Sequence, residues 1–362
     1  MIQKFYSILF FLALLFNFTA FAYEHPGGMH PAKQIESVKK LIKAKSQPTF
    51  DAYRQLIGKA DSAGMHEYHA LADFKVPGYY IDPAMHRKNS AGFQSDSFDA
   101  YACALAYQLS GDKKYAERSL GFLMAWANLN EKYSDFDGPL VMAYSGTGMI
   151  MAAELLLNYK KWKSTDREQF FTWVRNVYLK SCTEIRTRKN NWADWGRFGS
   201  VLCAQLLDNE AEMAENIRLV KSDLFHKIAD DGHMPEETRR EKNGIWYTYF
   251  SLAPITATMY AIYNSTGENL FELKEGDRSV RKALDYLFYY NQHPDEWKWF
   301  KNPNQGSPTS WPGNLLEAMA GIYGATEYVE YVEKSRPLCY PKHHFAWSFP
   351  TLMPAKLNFN QK

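Results

Sequence analysis

The sequence points to an all-α chain folded as an (α/α) toroid, or barrel, of about five to seven helical hairpins. Apolar residues recur at helical spacing, each helical stretch stops at a turn signal and is followed by another, and strand-like alternation is scarce. Paired helices bury such stripes when inner ones form a barrel wall and outer ones wrap it. A superhelical stack of pairs is the alternative, but no fixed sequence period supports it.

Met1 to Ala22 opens with Lys4, carries an apolar run from Ile8 to Phe16 and ends in Ala20-Phe21-Ala22, the pattern of a cleaved export signal. The run is shorter than the roughly 20 residues of a bilayer span, so no membrane span is expected once it is removed. Residues 23–362 contain no linker, charge block or low-complexity segment and are read as one domain. Export places the product in the periplasm or outside the cell, and a monomer is expected.

The first clear hairpin joins Ser95 to Leu109, with Phe98, Tyr101, Ala102, Leu105 and Leu109 on one stripe, to Lys114 to Ala127. Ser110-Gly111-Asp112 makes the break between them. The same design pairs Gly138 to Tyr159 with Asp166 to Arg186, Trp192 to Leu207 with Glu210 to Ile228, and Tyr247 to Tyr263 with Ser279 to Tyr290. A last helix is expected over Leu315 to Val332.

A net charge of +2 with no basic stripe argues against nucleic acid as a partner. Cys103, Cys182, Cys203 and Cys339 lie far apart without CxxC spacing, so zinc is not indicated, and disulfide or free thiol stays open. Aromatic residues make up 16% of the chain, with 10 Trp and 24 Tyr, more than a core requires; stacking on sugar rings is one use for the excess.

Candidate site residues cluster between 190 and 250. Asn190-Asn191-Trp192-Ala193-Asp194-Trp195 opens a helix, and Glu236, Glu237, Arg239 and Arg240 precede Trp246-Tyr247-Thr248-Tyr249-Phe250. Amides and arginines hold a carboxylate, tyrosine moves a proton and tryptophan stacks on a sugar. Each also has a plain structural use. Asn190 and Asn191 can cap the helix, Trp192 and Trp195 at i and i+3 can be core, and the run from Arg239 to Lys242 can be a solvated loop. His86, read as part of a polar loop from Asp82 to Asn89, is a candidate for the cleft edge. His66 and His69 lack a third ligand and are not HExxH, so neither metal nor cofactor is called for. His343-His344 can pack or face a cleft.

The segment from His25 to His30, the Ser95-Asp96-Ser97 helix with Gln108 to Asp112 and Lys114-Tyr115-Ala116, the Asn190-Asn191 pair, and Glu237 to Tyr247 together resemble the alginate lyase superfamily, meaning polysaccharide lyase family 5 and relatives such as family 38. The resemblance implies β-elimination on an acidic polysaccharide or oligosaccharide, β-1,4-mannuronan or glucuronan. Family 5 has Asn-Asn-His where this chain has Asn190-Asn191-Trp192, and Phe250 and Asn243 fall where that family has a tyrosine and an arginine. A tyrosine placed on Tyr247 favours the family 38-like reading.

Elimination across C4 and C5 of a uronate removes a weakly acidic C5 proton, so the neighbouring carboxylate must be neutralised while charge develops on it. Asn191 and Arg240 are expected to do this, with Tyr247 as base and then acid, and a nearby arginine is expected to favour its phenolate. Asn190, Trp192, Trp195, Glu237, Arg239, Tyr249 and His86 are expected to contact or orient substrate, with Tyr249 the substitute for Tyr247. Two alternatives remain at this stage. A glycoside hydrolase would use Asp194 with Glu236 or Glu237; a carbohydrate-binding protein would need no tyrosine chemistry.

Overall fold

The computed structural model describes residues 22–358, so the export signal expected over Met1 to Ala22 lies almost wholly outside the described residues. Helices α1 (Ala32–Lys43) and α2 (Thr49–Ala63) lead to a short strand β1 (Asp73–Lys75). Then come α3 (Pro83–Ser110), α4 (Lys113–Leu129), strand β2 (Lys132–Ser134) and α5 (Gly138–Leu156). They are followed by α6 (Ser164–Trp173), α7 (Leu179–Ile185), α8 (Asn191–Leu206), α9 (Glu210–Lys227), α10 (Pro235–Thr238) and α11 (Gly244–Thr266). The series ends with α12 (Val280–Gln292), α13 (Gly313–Tyr323) and α14 (Thr326–Val332).

Local chemistry sets the boundaries. Asp82 caps α3 by accepting from the Met85 amide at 2.9 Å, with Pro83 at the first helical position. Gly111, at φ 77°, ends α3, and Asp112 accepts from the Lys114 amide at 3.0 Å to start α4. The expected helix over Asp166 to Arg186 is continuous but contains a π-turn at Val174–Tyr178, from which the Tyr178 hydroxyl reaches the Ala143 carbonyl at 2.9 Å. The expected helix over Leu315 to Val332 is two helices, because Gly324 adopts φ 63° and closes α13.

Helices α3, α5, α8 and α11 pack side by side as the inner wall, and α4, α7, α9 and α12 cover them from outside. The architecture is an (α/α) toroid, the expected arrangement, and not a superhelical stack of pairs. Every residue of α5 is buried, so a helix apolar enough to cross a membrane is here a core helix. Strands β1 and β2 pair in parallel with Phe74 opposite Tyr133.

Two extended segments close the toroid. The one from His25 to His30 clamps three inner helices: Gly27 donates to Glu154 of α5 at 2.7 Å, His30 meets the Tyr101 hydroxyl of α3 at 2.5 Å, and Asn264 of α11 donates to the Gly28 carbonyl at 2.6 Å. Gly28 has φ 50°, and a Cβ there would sit 3.2 Å from Glu154 Oε2. That motif is structural. After α14 the chain crosses the inner face, where Phe345 and Trp347 are buried and Ser145 of α5 donates to the His343 carbonyl at 3.0 Å. All four cysteines are free thiols, with Cys103, Cys182 and Cys203 buried.

Candidate active site

One end of the toroid opens into a cleft of about 1410 Å³, walled by α3, α5, α8 and α11, the Gly78–Asp82 loop and the segment around His343. Its polar centre is built at the starts of α8 and α11. Asn190 caps α8, its Oδ1 accepting from the Trp192 amide at 3.2 Å, so the capping use and the cleft use coexist in the Asn190-Asn191 pair. Asn191 donates from its backbone N and from Nδ2 to the two carboxylate oxygens of Glu237, at 2.7 and 2.8 Å. This fixes the amide orientation and leaves its second Nδ2 hydrogen uncommitted and Oδ1 without a partner. Glu237, held on α10, is 1% exposed and does not border the cavity. Burial, opposed by the Asn191 hydrogen bonds, raises its pKa to about 7.

Tyr247, in the first turn of α11, faces the Tyr80 hydroxyl at 2.8 Å. The Arg240 guanidinium lies 4.4 Å from the centre of the Tyr247 ring and 3.4 Å from the Tyr80 hydroxyl. Burial and the bond to Tyr80 raise the Tyr247 pKa; Arg240 lowers it, the direction expected of a nearby arginine, but by less. Trp192 borders the cleft with the Arg188 guanidinium 3.8 Å from its ring centre, and Phe136 makes an edge contact with it at 5.9 Å.

His86 borders the cleft, but from the first turn of α3 and not from a loop. Its Nε2 lies 3.4 Å from Asp137, whose Oδ2 also accepts from the Tyr79 amide at 2.7 Å and so ties the loop to the wall. His343 borders the cleft, whereas His344 is buried against Tyr249. His66 pairs with Asp99 at 2.6 Å and His69 with Asp96 at 2.7 Å.

Other expected site residues lie elsewhere. Tyr249 is fully buried, its hydroxyl 3.1 Å from His344 Nε2, because two residues along a helix turn the side chain to the opposite face. Trp195 is core, packed on Phe250 at 5.0 Å and His344 at 4.8 Å. Arg239 is exposed and paired with Glu236 outside the cleft. Asp194 is buried, bonded to Lys227 at 2.6 Å and Ser251 at 2.5 Å, so neither it nor Glu237 or Glu236 supplies a carboxylate facing the cleft. The hydrolase pair is not present.

Sequence reasoning missed Tyr80, Tyr144 and Arg188. Tyr80 and Arg188 stand in connecting segments that periodicity does not place, and Tyr144 lies inside an apolar helix that reads as core. Charge gives the clearest description of the cleft. Lys59, Arg87, Arg188, Arg240 and Lys342 border it, and among the described residues none makes an ion pair. Many arginines elsewhere are paired, as Arg186 is with Glu212, Arg197 with Asp223 and Arg336 with Glu317. Of the carboxylates, Asp99 and Asp137 border the cleft, each facing a histidine.

A comparison with curated proteins gave no match. Among solved structures, an alginate lyase from Bacteroides ovatus superposes with a TM-score of 0.71 at 19% identity, covering 94% of this chain and all of that one. Alginate lyase A1-III from Sphingomonas species A1 does so with a TM-score of 0.69 at 15% identity, over 88% of this chain and 94% of that one. A tyrosine-to-phenylalanine variant of A1-III complexed with tetrasaccharide gives 0.72 at 14% identity, over 88% and 93%. At these identities the likeness establishes the fold. The alginate lyase family model matches residues 36–297, which include the Asn190-Asn191 pair, Glu237, Arg240 and Tyr247. The chain is therefore a polysaccharide lyase and belongs to the alginate lyase family.

Proposed function

We propose that the protein cleaves β-1,4-linked mannuronan or glucuronan by β-elimination, with Tyr247 as base and acid and with Asn191 and Arg240 meeting the substrate carboxylate. The observation that carries this reading is the cluster of unpaired cations around a tyrosine and an oriented amide in one cleft. A polyanion carrying one carboxylate per sugar satisfies those charges, and Trp192 and Trp246 add apolar surface to the cleft lining. The tetrasaccharide held by the A1-III variant supports an acidic oligosaccharide as ligand.

In this mechanism Tyr80 gives way to substrate, since its hydroxyl occupies the position facing Tyr247. Its departure removes the part of the rise in the Tyr247 pKa that Tyr80 causes, so that burial, which raises it, is opposed by Arg240, which lowers it. Tyr247 first gives up its hydroxyl proton to solvent; the phenolate oxygen then takes the C5 proton, the C5–H electron pair forms the C4–C5 double bond, the C4–O4 bond breaks, and the proton passes from Tyr247 to O4, which restores the phenolate. Mannuronate and glucuronate differ at C2 but share their arrangement at C4 and C5, so one tyrosine on one ring face serves both. The Met1–Ala22 signal supports an exported enzyme, periplasmic or extracellular, working as a monomer.

The test is incubation of the mature protein with mannuronan, guluronan, glucuronan and hyaluronan separately, following the ultraviolet absorbance of unsaturated ends. Absorbance growing with mannuronan or glucuronan is expected. Saturated, hydrated ends, or activity confined to guluronan, would overturn the assignment.

A further inference from the structure

Elimination needs donors on the carboxylate, and the donors already named are partly committed. Asn191 gives Nδ2 to Glu237, and Arg240 lies over the Tyr247 ring beside the Tyr80 hydroxyl. Trp192, the next residue along α8, has only an indole donor. A further donor is carried by the segment that crosses the inner face after α14.

His343 borders the same cleft, and its Nε2 is shielded from solvent and has no hydrogen-bond partner. Its ring is held between Tyr144 at 5.7 Å, Phe250 at 5.7 Å and Trp246 at 5.8 Å, and Trp246 is in turn 4.7 Å from Tyr247. Its backbone is fixed by the bond from Ser145 of α5. A residue held this firmly on the cavity lining, with a ring nitrogen that no protein group satisfies, has an imidazole N–H to give to an acceptor arriving with the ligand.

We propose that His343 is a catalytic residue that donates a hydrogen bond from its imidazole to the carboxylate of the uronate undergoing elimination. The inference rests on the lyase reading above. Burial, with Lys342 and His86 adding to it, lowers the His343 pKa to about 4, so the ring is neutral in the working range. It therefore offers one N–H. The proton stays on the ring while the acceptor gains charge from the breaking C5–H bond, and the bond strengthens toward the transition state.

A methyl ester separates this role from a structural one, because an esterified carboxyl has no charge to neutralise. Mannuronate tetrasaccharide and its methyl ester are assayed with wild type, His343→Ala and His343→Gln. On the free acid His343→Ala is expected to lose about 10²-fold in kcat with little change in KM, and His343→Gln to recover part of it. On the ester the loss is expected to be at least tenfold smaller. Equal losses on both substrates would overturn the proposal. Imidazole ¹⁵N resonances give a second reading, in Tyr247→Phe protein with the free-acid tetrasaccharide added. The His343 signals are expected to shift on binding; unmoved signals at saturation would overturn the proposal even where the ester is not turned over. Wild type that forms no unsaturated product from any polyuronate would instead defeat the lyase reading itself.

Discussion

Helices α8 and α11 each present two faces, and the faces treat polar groups in opposite ways. On the core face Asp194 receives Lys227 and Ser251, and the Tyr249 hydroxyl meets His344. On the cleft face the Asn191 Oδ1 has no partner, and Arg240 has no carboxylate among the described residues. Tyr247 and Tyr249 are two residues apart, which at about 100° per residue places them on opposite sides of one helix. Residue type is the same on both sides; what differs is charge, since Asp194 is paired with Lys227 on the core face while Arg240 on the cleft face has no carboxylate among the described residues. An unpaired cation marks the face that awaits an acidic ligand.

Tyr247→Phe tests the cleft face most severely. It removes one hydroxyl and keeps the ring, so turnover should fall by about 10²- to 10⁴-fold while oligosaccharide binding by calorimetry and the melting temperature hold. Turnover near wild type would remove Tyr247 from the chemistry. Asn191→Ala follows, with about 10²- to 10³-fold lost in kcat. Because Asn191 also satisfies the buried Glu237, this variant should lose about 1–3 kcal/mol of stability as well. Urea unfolding beside the rate assay distinguishes the two effects, and full activity would make Asn191 a cap alone.

Glu237 joins the two faces, since it is buried on one side and orients a cleft amide on the other. Its pKa of about 7 in the fold lies above the ordinary value of 4.5, so the native state holds a proton that the unfolded chain has released. Stability should therefore fall as pH rises from about 4.5 to about 7, by about 3 kcal/mol in all, and level off above that. Over the same range ionisation of Glu237 secures both bonds to Asn191, so kcat should rise through about pH 7. Glu237→Gln should flatten both profiles. A kcat limb unchanged in that variant would sever the link between Glu237 and the site.

Periodicity and turn signals made the hairpins legible, because each apolar stripe is continuous and each break carries Gly or Asp, as at Gly111 and Asp112. Leu315 to Val332 was misread where Gly324 interrupts a stripe that stays apolar on both sides. For the candidate site, Asn190, Asn191, Arg240 and Tyr247 were legible as a group because the chemistry demands those types close together, and all four border one cleft. Facing was not legible in Trp195 or Tyr249, since an amphipathic aromatic suits a core and a cleft equally. His343 and Tyr80 come from segments more than 90 residues from Tyr247, and only the closed toroid brings them to it.

Tyr249→Phe tests the core face. Losing the bond to His344 should cost about 1 kcal/mol in stability and leave turnover within about threefold of wild type. A variant that is stable and inactive would show that the two faces of α11 had been exchanged.

Arg239→Ala should have the smallest effect, and its value lies in the contrast with the adjacent arginine. Arg239 is exposed and pairs with Glu236 three residues earlier, an arrangement that contributes about 0–1 kcal/mol because solvent screens both charges. Its removal should leave kcat/KM unchanged and stability within about 0.5 kcal/mol. Arg240→Ala removes a guanidinium that has no carboxylate partner and lies against Tyr247, so it should slow turnover strongly while leaving the fold in place. Measured together at two salt concentrations, the pair isolates the role of the unpaired charge. The wild-type KM should rise with salt, Arg239→Ala should follow it, and Arg240→Ala should show a flatter dependence. Parallel slopes in all three proteins would mean that substrate does not meet the Arg240 charge, and the cleft face would then lose its clearest distinction from the surface outside it.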